Sequence, residues 1–223
     1  MFAALAYKEW LKLRLVFWVP LAAVLVALAL ALVDFRHVNE MIGPVMLWYD
    51  VALLDKVFYS DLRYVFVCVS VWFALFQFVP ECTDNRLRLL FHLPVPRRKA
   101  VYFMVGVGLI CTAVVGLAAV SGLACIVGAF MPVEAVCIAV LTCAPWLLAS
   151  IPAYLGTVLV VMEPAWPHKF VHGAVTALFV HGLTASSMQG AYEHTIVLYA
   201  LGCLLWILPI ELAAFRVKRG GAW

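Results

Sequence analysis

Charge is scarce in this sequence: Asp, Glu, Lys and Arg make up 12% of 223 residues, while hydrophobic residues make up 67%. A soluble domain of this size could not cover itself with polar surface from such a composition, so the solvent must be lipid. Closely spaced cysteine pairs are also missing. The seven cysteines (Cys68, Cys82, Cys111, Cys125, Cys137, Cys143 and Cys203) lie mostly inside apolar runs, which excludes the usual zinc and thiol-exchange spacings and leaves them as small core residues. No Gly-x-x-x-x-Gly-Lys-Ser/Thr run occurs, so the chain has no phosphate-cradling loop of that kind. Residues 1 to 10 lack a charged start, an apolar centre and a small-residue cleavage site, so the first apolar span is expected to be retained.

Long apolar runs fill the chain instead, and they predict an all-α integral membrane fold with one transmembrane domain over 1–223. Residues 1–14 place Lys8, Glu9, Lys12 and Arg14 among Phe2, Leu5, Trp10 and Leu13, a helical pattern too polar to cross lipid and suited to the interface. Six spans are expected at about 15–33, 62–79, 100–130, 135–162, 170–187 and 195–215, each near the ~20 residues that a crossing needs. Pro20, Pro145, Pro152 and Pro209 fall within spans, where each removes a backbone donor and can kink its helix. Ala118 with Gly122, and Ala124 with Gly128, have the small-xxx-small spacing of close helix contacts.

Basic residues set the expected orientation, because cytoplasmic segments keep Lys and Arg. With the amino terminus inside, Lys8, Lys12, Arg14, Arg86, Arg88, Arg97, Arg98, Lys99, Lys169, Arg216, Lys218 and Arg219 are cytoplasmic. Only Arg36, Lys56 and Arg63 are external, among Asp34, Glu40, Asp50, Asp55 and Asp61. Both termini are therefore expected in the cytoplasm of a bacterial inner-membrane protein.

Two links are long. The external one, 34–61, carries Leu47, Val51, Leu54 and Phe58 at steps of four, three and four, which predicts a short amphipathic helix on the outer surface. The cytoplasmic one, 80–99, offers Thr83, Asp84 and Asn85 as caps, and Leu87, Leu90 and Phe91 on one face. Pro94 and Pro96 end the helix, and Arg97, Arg98 and Lys99 follow it. Such a helix either rests on anionic lipid or docks a cytoplasmic partner.

This loop resembles that of the permease subunits of ATP-binding-cassette exporters of the second exporter class. Their pattern of Glu, Gly-Thr-Leu, Leu-Leu and Pro-Val-Ser-Arg is matched here by Glu81, Asn85-Arg86-Leu87, Leu89-Leu90 and Pro94-Val95-Pro96-Arg97. Asn85 and Arg86 stand where the family has Gly-Thr, and Pro96 where it has Ser. An interfacial elbow helix with Lys8, Glu9 and Arg14, six spans and a length near 220 agree as well. The external bulk departs from many members, lying between spans one and two rather than five and six. The resemblance implies a coupling helix over 84–93, with Glu81, Arg86, Leu87, Arg88, Leu90, Phe91, Pro94 and Arg97 at the ATPase-docking site. It further implies separate ATPase subunits that hold ATP and Mg, no cofactor in this chain, a second permease copy or homologue, and contact with membrane lipid but not nucleic acid. The chain itself would not be an enzyme. Its apolar walls do not select a substrate.

Three other chemistries compete. His172 and His181 in the fifth span, with His168 and His194 near interfaces, raise a membrane b-type cytochrome or haem-handling subunit, although axial ligands normally come from facing helices. Ser121-Gly122 has Ala119 where an intramembrane serine protease would carry Gly. Glu81, Glu134, Glu163, Glu193 and Glu211 lie near span ends and are expected to reach water, which marks no proton path.

Overall fold

The computed structural model describes residues 2–52, 54–83, 89, 96–186, 188–192 and 194–218. All regular structure among them is helical. In chain order the helices are α1 (Phe2–Val16), α2 (Trp18–Ile42), α3 (Pro44–Ala52), α4 (Leu62–Thr83) and α5 (Arg97–Phe130), followed by α6 (Val133–Met162), α7 (Trp166–Thr184), α8 (Ile196–Leu204) and α9 (Ile207–Lys218). Among the described residues, five stretches are long and apolar enough to cross a membrane: Trp18–Met41, Leu62–Thr83, Arg98–Phe130, Val133–Met162 and Ile196–Val217. The chain is a multi-pass helical membrane protein. Helices are the natural form here, because lipid offers no partner to a backbone N–H or C=O and a helix pairs its own.

α6 is the central helix, in contact with α4, α5, α7, α8 and α9. Its buried side includes the small residues Ala139, Ala149, Ala153 and Gly156 beside Trp146 and Tyr154. A Cβ on Gly156 would lie 2.2 Å from the Thr176 side chain, so this glycine is what lets α7 lie close. Gly122 does the same for α2, since a Cβ there would meet Leu28 at 2.5 Å. That small-residue position is therefore occupied inside the subunit. The outward surface is as apolar as the core, with Leu25, Val26, Leu30 and Val33 of α2 all more than half exposed.

Proline sets the breaks. Pro20 cannot donate to the Val16 carbonyl, the helix turns at Phe17, and the Trp72 indole N–H donates to that carbonyl instead at 3.3 Å. Pro209 likewise leaves the Leu205 carbonyl without its helical donor, and the last apolar stretch breaks into α8 and α9 at Leu205 and Trp206. The span predicted at 195–215 is thus two helices. That predicted at 15–33 starts later and runs on to Ile42, where Gly43 at φ 87° and Pro44 turn the chain into α3.

The external helix differs from its predicted form. Leu47 is buried, but α3 ends at Ala52 and Asp55 takes φ 50°, so Leu54 and Phe58 are not on the same helix. Phe58 packs on Phe35 with ring centres 5.3 Å apart, and this tertiary contact outweighs the local stripe. α7 carries the region predicted as the fifth span. Among the described residues it is helical for 19 residues, but it is not one of the five strongly apolar stretches.

Candidate functional site

A polar cluster lies inside the bundle where α1, α4, α5 and α6 meet. The cause begins in α1, whose polar side turns inward while Tyr7, Trp10, Leu11 and Leu15 face outward. An apolar exterior rewards this arrangement, provided every inward charge has a partner. Glu9 and Glu81 are wholly buried. Lys12 bridges them, at 2.8 Å from Glu9 Oε1 and 2.7 Å from Glu81 Oε1, and Lys8 reaches Glu81 at 2.9 Å. Two carboxylates and two ammonium groups cancel, so no net charge is buried. The lysine heads keep partial access to the surface, 39% for Lys8 and 19% for Lys12, as long basic side chains do at membrane boundaries.

The cluster continues as neutral hydrogen bonds. Gln77 Nε2 donates to Glu9 Oε2 at 2.9 Å and to the Met104 carbonyl at 2.7 Å, and Tyr154 Oη donates to Gln77 Oε1 at 2.6 Å. Both sides of the Gln77 amide are thereby used, as a fully buried amide requires. Gly108 makes the meeting possible: a Cβ there would lie 2.0 Å from Tyr154 Oη and 2.2 Å from Gln77 Oε1. One continuous path of contacts therefore runs from Lys8 in α1 through Gln77 in α4 to Tyr154 in α6, with α5 joined to it at the Met104 carbonyl.

Two further ion pairs join helix ends. Arg216 of α9 donates to Glu163 Oε1, at the end of α6, at 2.8 Å, with His168 Nδ1 4.0 Å from the same oxygen. Arg98 of α5 pairs with Glu211 of α9, and Tyr102 Oη donates to Glu211 Oε2 at 3.4 Å. The end of α6 and the start of α7 thus share an end of the bundle with the close of α9 and the start of α5. At the opposite end, Arg63 donates to the Thr184 carbonyl at 3.4 Å and Gln189 to the Val51 carbonyl at 3.0 Å.

Of the predicted docking residues, Glu81 is placed, and it is buried rather than exposed. Arg97 opens α5, while Arg86, Leu87, Arg88, Leu90, Phe91 and Pro94 lie outside the described residues. The expectation that span-end carboxylates reach water fails for Glu81 and for Glu163, which is 1% exposed, because Lys and Arg partners replace water there. Glu9 was expected at the interface and is wholly buried instead, and Gln77, Gly108 and Tyr154 were not singled out from sequence. A glutamine inside the apolar run of α4 was the available signal, since a polar side chain in a span seeks a partner.

Among the described residues no three His, Cys, Asp or Glu side chains gather as a metal site needs. His168 and His172 stack on one another along α7, and His181 points outward. Seven free cysteines are present, and Cys68, Cys125 and Cys137 are exposed rather than in the core. An apolar exterior accepts a small thiol as readily as a core does. Ser121 is exposed and donates to the Ala118 carbonyl of its own helix at 3.0 Å. No family model, curated protein or solved structure matches the chain.

Proposed function

We propose that this chain is the membrane-spanning permease subunit of an ATP-driven exporter of the ATP-binding-cassette type, in a bacterial inner membrane with both termini cytoplasmic. The observation that carries the reading is the burial of Glu81 between Lys8 and Lys12 at the root of the 84–93 segment. A loop that only rests on lipid needs no anchored root. A loop that is pushed by a partner does, because force is transmitted only through elements that do not yield. Here the root is tied to α1, and through Gln77 and Tyr154 to the central helix α6.

In this mechanism, Leu87, Leu90 and Phe91 seat in a groove on a separate ATPase, Arg86 and Arg88 meet acidic groups at its rim, and Pro94 and Arg97 set the return into α5. ATP and Mg belong to that partner. Closure of the ATPase around nucleotide moves the loop, and the anchored helices rock between inward-open and outward-open arrangements. Two permease copies, or one copy and a homologue, enclose the path. α7 serves as the sixth span: 19 residues reach ~28 Å against ~30 Å of hydrocarbon. It also runs antiparallel along α6, from Glu163 beside His168, past Gly156 at Thr176, to the Trp146 indole donating to the Ser186 carbonyl.

The test is co-purification of a Mg-ATP-hydrolysing subunit with the chain, repeated with Glu81→Gln at equal membrane abundance. Binding retained with loss of transport-coupled hydrolysis is expected. Unchanged coupling would remove the lever, and absence of any ATPase from the native complex would remove the reading.

A further inference from the structure

Away from the polar cluster, an apolar groove of about 420 Å³ opens on the outer surface between α5, α6 and the broken α8–α9 pair. Tyr102, Gly106 and Leu109 form one wall, and Ile151, Cys203 and Ile207 stand among the residues of the others. Its open side is wide, since Leu204 is 58% exposed. A smaller recess next to it shares Tyr102 and Ile210 in its lining and is also lined by the Arg98–Glu211 pair.

We propose that this groove holds one acyl chain of an anionic phospholipid, drawn from the leaflet at the Arg98 end, with the lipid phosphate on Arg98 and Lys99. The inference rests on the multi-pass membrane reading alone and needs no ATPase partner. Water is a poor occupant, because the lining offers almost nothing to bond beyond the Tyr102 hydroxyl. A helix of a second copy is too thick: one turn, ~5.4 Å long and ~10 Å across, would use the whole volume, whereas the groove runs ~10 Å along α5 from Tyr102 to Leu109. A chain of methylenes is slender enough. Its length also fits, since Arg98 to Leu109 covers ~16 Å, about half of the ~30 Å hydrocarbon layer.

Charge completes the match. The Arg98 side chain is 71% exposed, and its Nε faces Glu211, leaving the other guanidinium N–H groups for an anion. Lys99, the next residue of α5, is also exposed, so the start of α5 carries two exposed cations near the one Glu211 carboxylate. A zwitterionic headgroup would answer this excess less well than an anionic one.

The experiment is native mass spectrometry of the full chain, released from nanodiscs of equal phosphatidylglycerol and phosphatidylcholine content. The unmodified chain is expected to retain one lipid, phosphatidylglycerol in preference. Gly106→Phe fills the groove from a position where a Cβ meets no atom within 4 Å, so it removes that lipid without disturbing the helix. Ala200→Trp blocks the groove from α8, and serves if Gly106→Phe fails to fold. Arg98→Gln keeps a lipid but loses the preference by about fivefold, the worth of one basic side chain at an anionic surface. Equal retention by the two blocked variants would overturn the proposal, as would a lipid-free unmodified chain. A blocked variant that turns a dimer into a monomer with lipid count unchanged would assign the face to a second copy and overturn it too.

Discussion

Gly108→Ala adds a single methyl group, and its cost can be worked from the geometry. The new Cβ would lie 2.0 Å from Tyr154 Oη, 2.2 Å from Gln77 Oε1 and 2.5 Å from Tyr154 Cζ. Tyr154 and Gln77 are both fully buried, so neither has room to retreat. Separating them forfeits a hydrogen bond and leaves two buried polar groups short of partners, at about 1–3 kcal/mol for each unsatisfied group. Overpacking adds roughly 1–3 kcal/mol, while the helical preference of Ala over Gly returns about 1 kcal/mol. The net expectation is a loss of at least about 2 kcal/mol. At about 2–4 °C per kcal/mol for a chain of this size, the unfolding midpoint falls by at least about 4 °C.

Gly106 supplies the internal control. It lies on the same helix, but a Cβ there meets nothing within 4 Å, so Gly106→Ala is expected to be neutral or to stabilise by up to about 1 kcal/mol. The assay is thermal unfolding of both variants in one detergent, followed by tryptophan emission and by retention of a monodisperse peak. Tyr154→Phe in the Gly108→Ala background removes the closest clash but not that with the ring carbon. It should therefore cost at least about 1 kcal/mol less there than alone, a coupling within the range for touching side chains. If Gly108→Ala is as stable as Gly106→Ala, the Tyr154–Gln77 contact does not hold these helices together and the reasoning fails.

Replacing Glu81 by Ala takes the partner from Lys8 and leaves Lys12 with Glu9 alone; because both lysine heads keep partial access to the surface, the loss should be about 1–3 kcal/mol, the worth of charge-assisted hydrogen bonds. Wild-type stability in detergent would show the cluster to be solvated. A reporter fused after Arg219 should be active only in the cytoplasm, and one inserted at Lys56 only outside; the reverse result would invert the topology drawn from the basic residues. Phe91→Ala should weaken association with an ATPase about thirtyfold, from loss of a buried anchor of about 2 kcal/mol, with membrane insertion unchanged. Full retention of the ATPase at equal abundance would refute docking by this helix. In nanodiscs the proposed permease should have the mass of two copies, and a monomer bound to an ATPase would contradict that.

What the sequence determined by itself follows from composition and local order. Apolar runs near 20 residues select lipid as solvent, because transfer free energy adds along a run regardless of which face later meets a neighbour. Helix follows, since only internal pairing satisfies the backbone there. Proline removes a donor at Pro20, Pro145, Pro152 and Pro209 alike, yet helix ends fall near Pro20 and Pro209 while α6 runs unbroken through Pro145 and Pro152, so composition named the candidates and packing chose among them. The tertiary structure alone decided which polar groups would be buried. Lys12 and Glu81 are 69 residues apart in the chain, and Gln77 and Tyr154 are 77 apart, so no local pattern joins them. The length of α3 was settled in the same way, by Phe58 meeting Phe35 rather than extending the stripe begun at Leu47. A charged residue near a span end can reach water or turn inward to a partner, and the two differ only in what the neighbouring helices present. For Glu9 and Glu81 those neighbours present lysine and glutamine, and the carboxylates went inside.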